Sequence, residues 1–476
     1  MMVAGAAEPS RVVQAEEILE KIELRLPVEY DNVTVVGDLN LTGLDLPKVP
    51  VQRFWLETSM GIPDYEILIL SSIKITNSVI EGSINLDGAA FHDVALFNNT
   101  RFEGPVSIMG SMFLQVASFC GSQFNQALSI RMARFNQAAS FRMAQFNETA
   151  YFSNSKFNNT AEFWGVKFNH TAYFWGTIFS YASFEDTKFN GIAEFWGAKF
   201  NQSGIFWKAK FNQTANFGDA RFKKLADFRD AQFNKAANFR DSRFNQGAYF
   251  WMAKFSHVTN FRKTQFNDTA YFGGTQFNQE SYFEDARFFD ISFDDSQFSK
   301  EASFQGAQIK GTLSLYRTKY DTLNVRWSSI HDLAYDDTAY HLLIQNFNKL
   351  GFSDDARECQ YSYRCKHREE LFRQHKLDSW LFDLLAWGTY GYGLRPVRPL
   401  GWAALLILMG GLFFFLTGSV IRSKPSPSGK KPLALRKRED KPDGKVSIWE
   451  AFLLSATYFT SGRAASSPPP PPSSCL

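Results

Sequence analysis

Apolar positions follow a fixed step through the middle of the chain. From Phe135 a phenylalanine recurs alternately six and five residues on, at Phe141, Phe146, Phe152, Phe157, Phe163, Phe168, Phe174 and Phe179. After a slip the series resumes at Phe184, Phe189, Phe195, Phe200, Phe206 and Phe211 and continues to Phe304. Small residues stand two before the rings, as in Ala139, Phe141, Ala144 and Phe146, and Asn147 follows. Residues two apart in an extended chain share a face. The pattern therefore predicts a short straight segment, a turn, another segment and another turn. The spacing of three and four that a helix needs is absent. Self-similarity at a fixed period marks a repeat architecture. The expectation is a solenoid of short β-segments with phenylalanine rings along its axis.

An asparagine follows a phenylalanine at Asn147, Asn158, Asn169, Asn201, Asn212, Asn234, Asn245, Asn267 and Asn278. Asparagine tolerates left-handed backbone and bonds its own main chain in turns, which makes it a recurrent corner residue. Asn147-Glu148-Thr149 and Asn267-Asp268-Thr269 have the form of glycosylation acceptors, but the corner reading accounts for them without a secretory signal. The slips at Phe179–Phe189 and Phe283–Phe298 are expected to mark a change of register on one face.

On these residues the stretch from Ala89 to Ile309 resembles a pentapeptide-repeat protein of the subclass whose repeats run five plus six. The resemblance implies an all-β solenoid, a right-handed quadrilateral β-helix, with about 22 residues to a coil and about ten coils.

The flanks read differently. Residues 1–32 hold a helix from Ala15 to Leu26, with Ile18, Leu19, Ile22 and Leu26 at helical spacing, expected to cap the open end of the array. Residues 33–88, with alternating Val33, Val35, Leu39 and Leu41, read as irregular first coils with an inserted loop at 46–66 carrying Pro47, Pro50 and Pro63. The β-helix is assigned 89–322. Residues 323–399 are a helical linker, with helices Thr338 to Leu350 and Asp354 to Arg373 joined at Gly351. Leu400 to Ile421 runs 22 residues without a charge, long enough to span a bilayer core as one transmembrane helix. A basic linker (422–445), a short apolar segment (446–462) and a proline-rich tail (463–476) follow.

The part from Tyr390-Gly391-Tyr392-Gly393 through Phe459 resembles pentapeptide-repeat proteins with a potassium-channel-like pore domain. That resemblance implies a pore helix carrying Trp449, Phe452, Thr457, Tyr458, Phe459 and Thr460, in a cation-channel subunit completed by further copies or another chain. The sequence departs from the family's Thr-x-Gly-Tyr/Phe-Gly filter: Thr460-Ser461-Gly462-Arg463 stands there, and no second span follows. The channel-like part is expected to be incomplete. Thr389 to Gly393 reads as a juxtamembrane turn, with Trp387, Tyr390 and Tyr392 suited to an interfacial aromatic belt.

Charge and chemistry narrow the picture. Residues 91–310 hold 23 Lys/Arg and 19 Asp/Glu, and the whole chain has a net charge of +3. Some pentapeptide-repeat proteins imitate duplex DNA and inhibit topoisomerases through an acidic surface; this balance argues against that role. No basic stripe is dense enough for nucleic-acid binding, so no nucleic acid is expected. Cys120, Cys359, Cys365 and Cys475 form no CxxC pair, and the seven histidines are dispersed. No metal, cofactor or catalytic residue is therefore expected, and the chain is not expected to be an enzyme. What remains is surface. Trp164, Trp175, Trp196, Trp207 and Trp251 each follow an inward phenylalanine and so point outward. On a coil of about 22 residues, Trp175 and Trp196 share one face and Trp164, Trp207 and Trp251 another. A protein partner docking there competes with simple packing between coils.

The expected function is a membrane-anchored β-helix that serves as a protein-interaction or scaffolding module. Lacking a leading signal, the large N-terminal part is expected in the cytoplasm with a single pass. The positive-inside rule points the other way, because Arg422, Lys424, Lys430, Lys431, Arg436, Lys437 and Arg438 follow the span.

Overall fold

The computed structural model describes residues 11–52, 59, 64–418 and 446–461. The chain forms two compact units, Met1–Cys359 and Gln360–Leu476.

The first unit is a parallel β-solenoid of about 14 turns. Its three ladders have 14, 13 and 24 strands, the largest taking two segments from each regular coil. Pairing begins at Arg11↔Val33 and runs to Ile309↔Ile330 and Leu313↔Leu333. The usual step is one coil, as in Phe124↔Phe146 and Ala117↔Ala139. Coils continue N-terminal to the phenylalanine series because Val35, Ile80 and Ile84 fill the inward positions that rings fill later. Backbone N–H groups reach the next coil, as from Phe152 to the Tyr173 carbonyl at 2.7 Å.

The rings build four columns. Phe91, Phe113 and Phe135 stack at centroid separations of 4.5 and 4.7 Å. Phe97, Phe119 and Phe141 begin a second column, Phe102, Phe124 and Phe146 a third, and Phe152, Phe174 and Phe195 a fourth. Neighbouring columns meet edge to face, as Phe152 and Phe163 do at 5.3 Å and 86°. Each such pair adds about 0.5–1.5 kcal/mol beyond area burial. Buried Ala139, Ala144, Ala150 and Ala161 leave the space the rings occupy.

Asparagines such as Asn147 and Asn169 do stand in the bends between segments, but the left-handed backbone lies elsewhere. The left-handed residue lies two places after the first phenylalanine of each unit: Met143 (φ +58°), Asn154 (φ +57°), Asp186 (φ +50°), Lys208 (φ +56°). The N–H of the next residue closes the turn, from Ala144 to the Phe141 carbonyl and from Ser155 to the Phe152 carbonyl. A positive φ at the third turn position with that bond is the signature of a type II turn. The asparagines that follow the second phenylalanine have negative φ and form an amide column instead. Asn147 donates to Asn125 at 2.7 Å, Asn169 to Asn147, Asn190 to Asn169 and Asn212 to Asn190. Coils stacked about 4.8 Å apart let each amide donate to one neighbour and accept from the other.

The slips do mark a register shift in the largest ladder, and the ring columns run through it unbroken. After Phe157↔Phe179 the step shortens by one residue, at a bulge between Phe157 and Thr160. The rings remain in column, Phe179 on Phe200 at 5.1 Å and Phe168 on Phe189 at 5.0 Å. The second slip behaves alike: Phe266↔Phe288 is followed by Ala270↔Ile291, and Phe277 still stacks on Phe298 at 4.6 Å. Stacked rings fix the faces, so the corner absorbs the lost residue. The insertion between the second and third coils begins and ends as an antiparallel pair, Lys48–Pro50 with Tyr65–Ile69.

Helices flank the array. α1 (Ala15–Glu23) buries Ala15, Ile18 and Ile22. Tyr30 donates to Glu17 at 2.6 Å and accepts from Lys21 at 2.7 Å. At the far end stands α2 (Asp337–Lys349), N-capped by Asp336, whose carboxylate accepts from the Ala339 N–H. Its buried Asn346 accepts from the Leu323 N–H at 3.0 Å and donates to the Leu323 carbonyl at 2.8 Å. One side-chain amide thus takes the place of the next strand and ends the ladder. Gly351 (φ +76°) joins α2 to α3 (Ser353–Arg373), where Asp355 pairs with Arg326 at 2.6 Å. Burial pushes the Cys359 thiol pKa up, which keeps it protonated.

The second unit takes over within α3. It continues through α4 (Leu377–Tyr390), α5 (Val397–Thr417) and α6 (Ile448–Ser461). Between α4 and α5, Gly391, Tyr392 and Gly393 are all left-handed, at φ +56°, +59° and +75°. A Cβ on Gly391 would lie 2.8 Å from that of Arg395, so the turn needs glycine for backbone and space alike. α5 starts three residues before the expected span, and its described part ends at Thr417. Residues 419–421, the basic linker 422–445, and Gly462, Arg463 and the proline-rich tail lie outside the described residues.

Candidate interaction surface

The five tryptophans lie on two outward columns, each just before a left-handed turn residue. Trp175 and Trp196 occupy successive coils and stack at 5.8 Å with a 20° interplanar angle; each stays 44% exposed. Trp164, Trp207 and Trp251 share the other column. There the carbonyls of Trp164, Glu185, Trp207, Arg229 and Trp251 accept in turn from the coils before them. An indole therefore appears only on every second coil, roughly 10 Å from the next, and indoles of this column do not stack on one another.

Charged side chains hold these indoles. Lys208 lies 4.2 Å from the Trp207 ring centre and Arg142 5.3 Å from that of Trp164. The Trp207 Nε1–H donates to Asp230 at 3.1 Å. Between Trp207 and Trp251, Arg229 makes a bidentate pair with the buried Asp227 carboxylate, Nε to Oδ1 at 2.9 Å and Nη2 to Oδ2 at 2.6 Å. That contact raises the Arg229 pKa above its ordinary value, so the cation is permanent and fixed. Trp251 is 56% exposed, and Gly273 in the next coil leaves room for its indole: a Cβ there would lie 3.2 Å from Trp251 Cδ1.

Two open clefts adjoin the tryptophans. One of about 280 Å³ is lined by Arg142, Glu162, Trp164, Tyr181, Ser183 and Glu185. Another of about 520 Å³ lies beside Trp196, with Gly218, Asp219, Asn238, Arg240 and Asp241 among its walls. Both combine an aromatic wall with charges of both signs. The pinned Arg229 and the tyrosine pairs Tyr151–Tyr173 (5.2 Å) and Tyr249–Tyr271 (4.8 Å) belong to the same surfaces. They went unremarked in the sequence, although tyrosines one coil apart are the signal that would have found them. Among the described residues no group of His, Cys, Asp and Glu could hold a metal ion.

The C-terminal candidates are placed individually. Trp449 is exposed. Phe452 packs on Gly411 and Ser455 on Gly410, where a Cβ would meet them at 2.2 and 2.4 Å. Thr457 and Thr460 donate back to the carbonyls of Leu453 and Ala456 in their own helix. Tyr458 lies 6.3 Å from Phe414, and Phe459 is exposed. Among the described residues only α5 is long and apolar enough to cross a membrane, and 6% of its most apolar stretch is buried.

Residues 119–167, 130–178, 206–251 and 252–297 match the family model described as pentapeptide repeats (9 copies). These segments carry pentapeptide repeats, and the solenoid agrees with that match. Solenoids of this kind are generally non-enzymatic structural or interaction modules. No curated protein and no solved structure matches the chain. Nothing supports a potassium-channel-like pore domain.

Proposed function

We propose that this chain is a membrane-anchored protein-interaction module. Its solenoid presents the Trp164–Trp207–Trp251 column to a protein partner from the cytoplasmic side, and α5 holds it at the bilayer as a single pass. The observation that carries this reading is the fixed alternation of indoles and charges on a rigid ladder. Interfaces are rich in tryptophan and arginine; fixing an arginine costs rotamer entropy, and here the Asp227 pair has already ordered Arg229. The exposed apolar helix supplies the anchor. Tethering at a membrane raises the effective concentration of scaffold and partner.

The test has two arms. Alkaline carbonate extraction should leave the full chain in the membrane pellet and release a chain lacking 397–417; release of the full chain would end the membrane reading. Proximity labelling in cells should lose its labelled partners on W207A/W251A substitution while the thermal unfolding profile stays unchanged. Labelling that is indifferent to both tryptophans would end the docking reading.

A further inference from the structure

The stacked pair Trp175 and Trp196 ends in a notch. The carbonyls of Trp196, Gly218 and Arg240 accept in turn from the N–H groups of Gly176, Gly197 and Asp219. The three residues therefore stand in one outward column on successive coils. Gly218 has no side chain to continue the stack, and the Trp196 indole leans over it: a Cβ there would lie 3.0 Å from Trp196 Cδ1. One face of the indole rests on Trp175 at 5.8 Å. The other turns to the cleft of about 520 Å³, whose far side carries Arg240. Two coils span roughly 10 Å, and rings stack at centroid separations of about 4.5–7 Å. The notch thus has room for one more planar ring, between an indole and a guanidinium. Guanidiniums stack on aromatic planes as indoles do.

The surroundings of that ring place select a ligand. Asn238 donates to Asn216 at 2.9 Å and accepts from the Arg240 N–H at 3.1 Å, which leaves its second N–H for the edge of a ring that carries acceptors. Each carboxylate of the cleft has its own arginine: Asp219 has Arg221 at 3.5 Å and Asp241 has Arg240 at 3.2 Å. Arg243 and Lys263 line the cleft as well. Among the described residues, neither forms an ion pair or a side-chain hydrogen bond. Arg243 follows Arg240 by three residues and Lys263 stands one coil beyond Asp241, so both come within about 10 Å of the ring place. Phosphates joined to a base through a sugar cover that span. A peptide has less to bind. Asn216 pairs with Glu194 and Asn238, and Arg243 with Arg221 and Gln265. No free sheet edge therefore offers the main-chain bonds by which an extended peptide docks.

We infer that this notch binds a nucleoside phosphate, its base between Trp196 and Arg240 and its phosphates on Arg243 and Lys263. The site is separate from the Trp164–Trp207–Trp251 column and does not depend on the membrane reading. The full chain, purified in detergent, is dialysed to equilibrium against radiolabelled ADP. The wild type should bind ADP saturably, with adenosine and pyrophosphate each competing more weakly by about tenfold or more, since either holds only half of the contacts. W196A should weaken ADP by about tenfold or more, the scale on which one stacked base contributes. W196F should weaken it less, which shows that the loss in the alanine variant is not misfolding. R243Q/K263Q should weaken ADP by a similar factor and leave adenosine unchanged, because charge-assisted bonds to phosphate are the ones removed. No saturable binding by the wild type, or ADP binding unchanged in either W196A or R243Q/K263Q, overturns the inference. Pyrophosphate competing as well as ADP would reduce the notch to an anion site and overturn it too. Phenyl phosphate competing as well as ADP would assign the notch to any aromatic phosphate, a protein's phosphotyrosine among them, and overturn the nucleotide assignment.

Discussion

The solenoid and the C-terminal helices use the same apolar residue types to opposite ends. In the solenoid Phe206 is wholly buried, between Phe184 at 4.9 Å and Phe228 at 4.8 Å. On α5, Phe413 is 59% and Leu416 72% exposed. Each coil finds its apolar environment in the coils on either side of it and needs nothing else. Among the described residues α5 meets α6 at Gly410, Gly411 and Phe414, and Leu408, Met409, Phe413 and Leu416 stay about half exposed or more. Exposure of that kind is what the proposed anchoring by α5 calls for, whereas the solenoid core needs no environment but its own coils.

The comparison breaks first at the core. Phe206→Ala should cost about 3–5 kcal/mol, the usual loss for a buried phenylalanine. Leu416→Ala in detergent should stay within about 0.5 kcal/mol, as an exposed substitution does. Urea unfolding of the full chain in detergent, followed by far-UV circular dichroism, reads both; equal losses would mean that α5 has a protein partner in its own unit. At the end of the array, Asn346→Leu should cost about 1–3 kcal/mol, because the Leu323 N–H and carbonyl lose their partner. Faster hydrogen exchange at Leu323, with unchanged exchange in the central coils, identifies the cap as the cause.

A buried hydroxyl sharpens the picture further. Thr264 donates to the Phe239 carbonyl one coil away, at 2.7 Å. Thr264→Val should cost about 1 kcal/mol, whereas Thr389→Val, which removes a bond from an exposed side chain to the Leu385 carbonyl within α4, should cost nothing measurable by the same unfolding assay. The smallest effect is one of pH. Asp31 accepts from Thr76 and then from Asn77, and these donors hold its pKa below the usual aspartate value. A carboxylate whose folded pKa lies below its unfolded one stabilises fully above the unfolded value and loses that contribution as pH falls through the folded value. Wild type should therefore lose more stability than D31N between about pH 6 and pH 2, across the ordinary aspartate range. Parallel profiles would remove Asp31 from the account.

Some of this could be read from the chain and some could not. The alternating step of Phe141, Phe146 and Phe152 sufficed for short strands and an axial column of rings, because the side-chain period of a strand is local. The same reasoning placed Trp175 beside Trp196, since sharing a column needs only the coil length. At the corners it placed the asparagines but not their backbone state or their partners. Asparagine's tolerance of positive φ is a single-residue propensity, and it could not show that Asn147 would face Asn125 and Asn169 and bond to both. Met143 and Lys208, poor candidates for left-handed backbone, adopt it because the closing hydrogen bond and the ladders on both sides outweigh a local cost of about 1–2 kcal/mol. The slips were legible as register shifts, but sequence shows that a residue is missing and not which part of a coil yields.

The sequence by itself determined the period, the inward rings, the outward tryptophans and one apolar helix, all consequences of which side of a short segment a residue faces. Only the tertiary structure decided that amides would chain from coil to coil and that corners would absorb the slips. It also decided that Asn346 would end the ladder. Each of those outcomes joins residues one coil or one helix apart, where the rise between coils or the path of a turn, and not the local pattern, sets the distance.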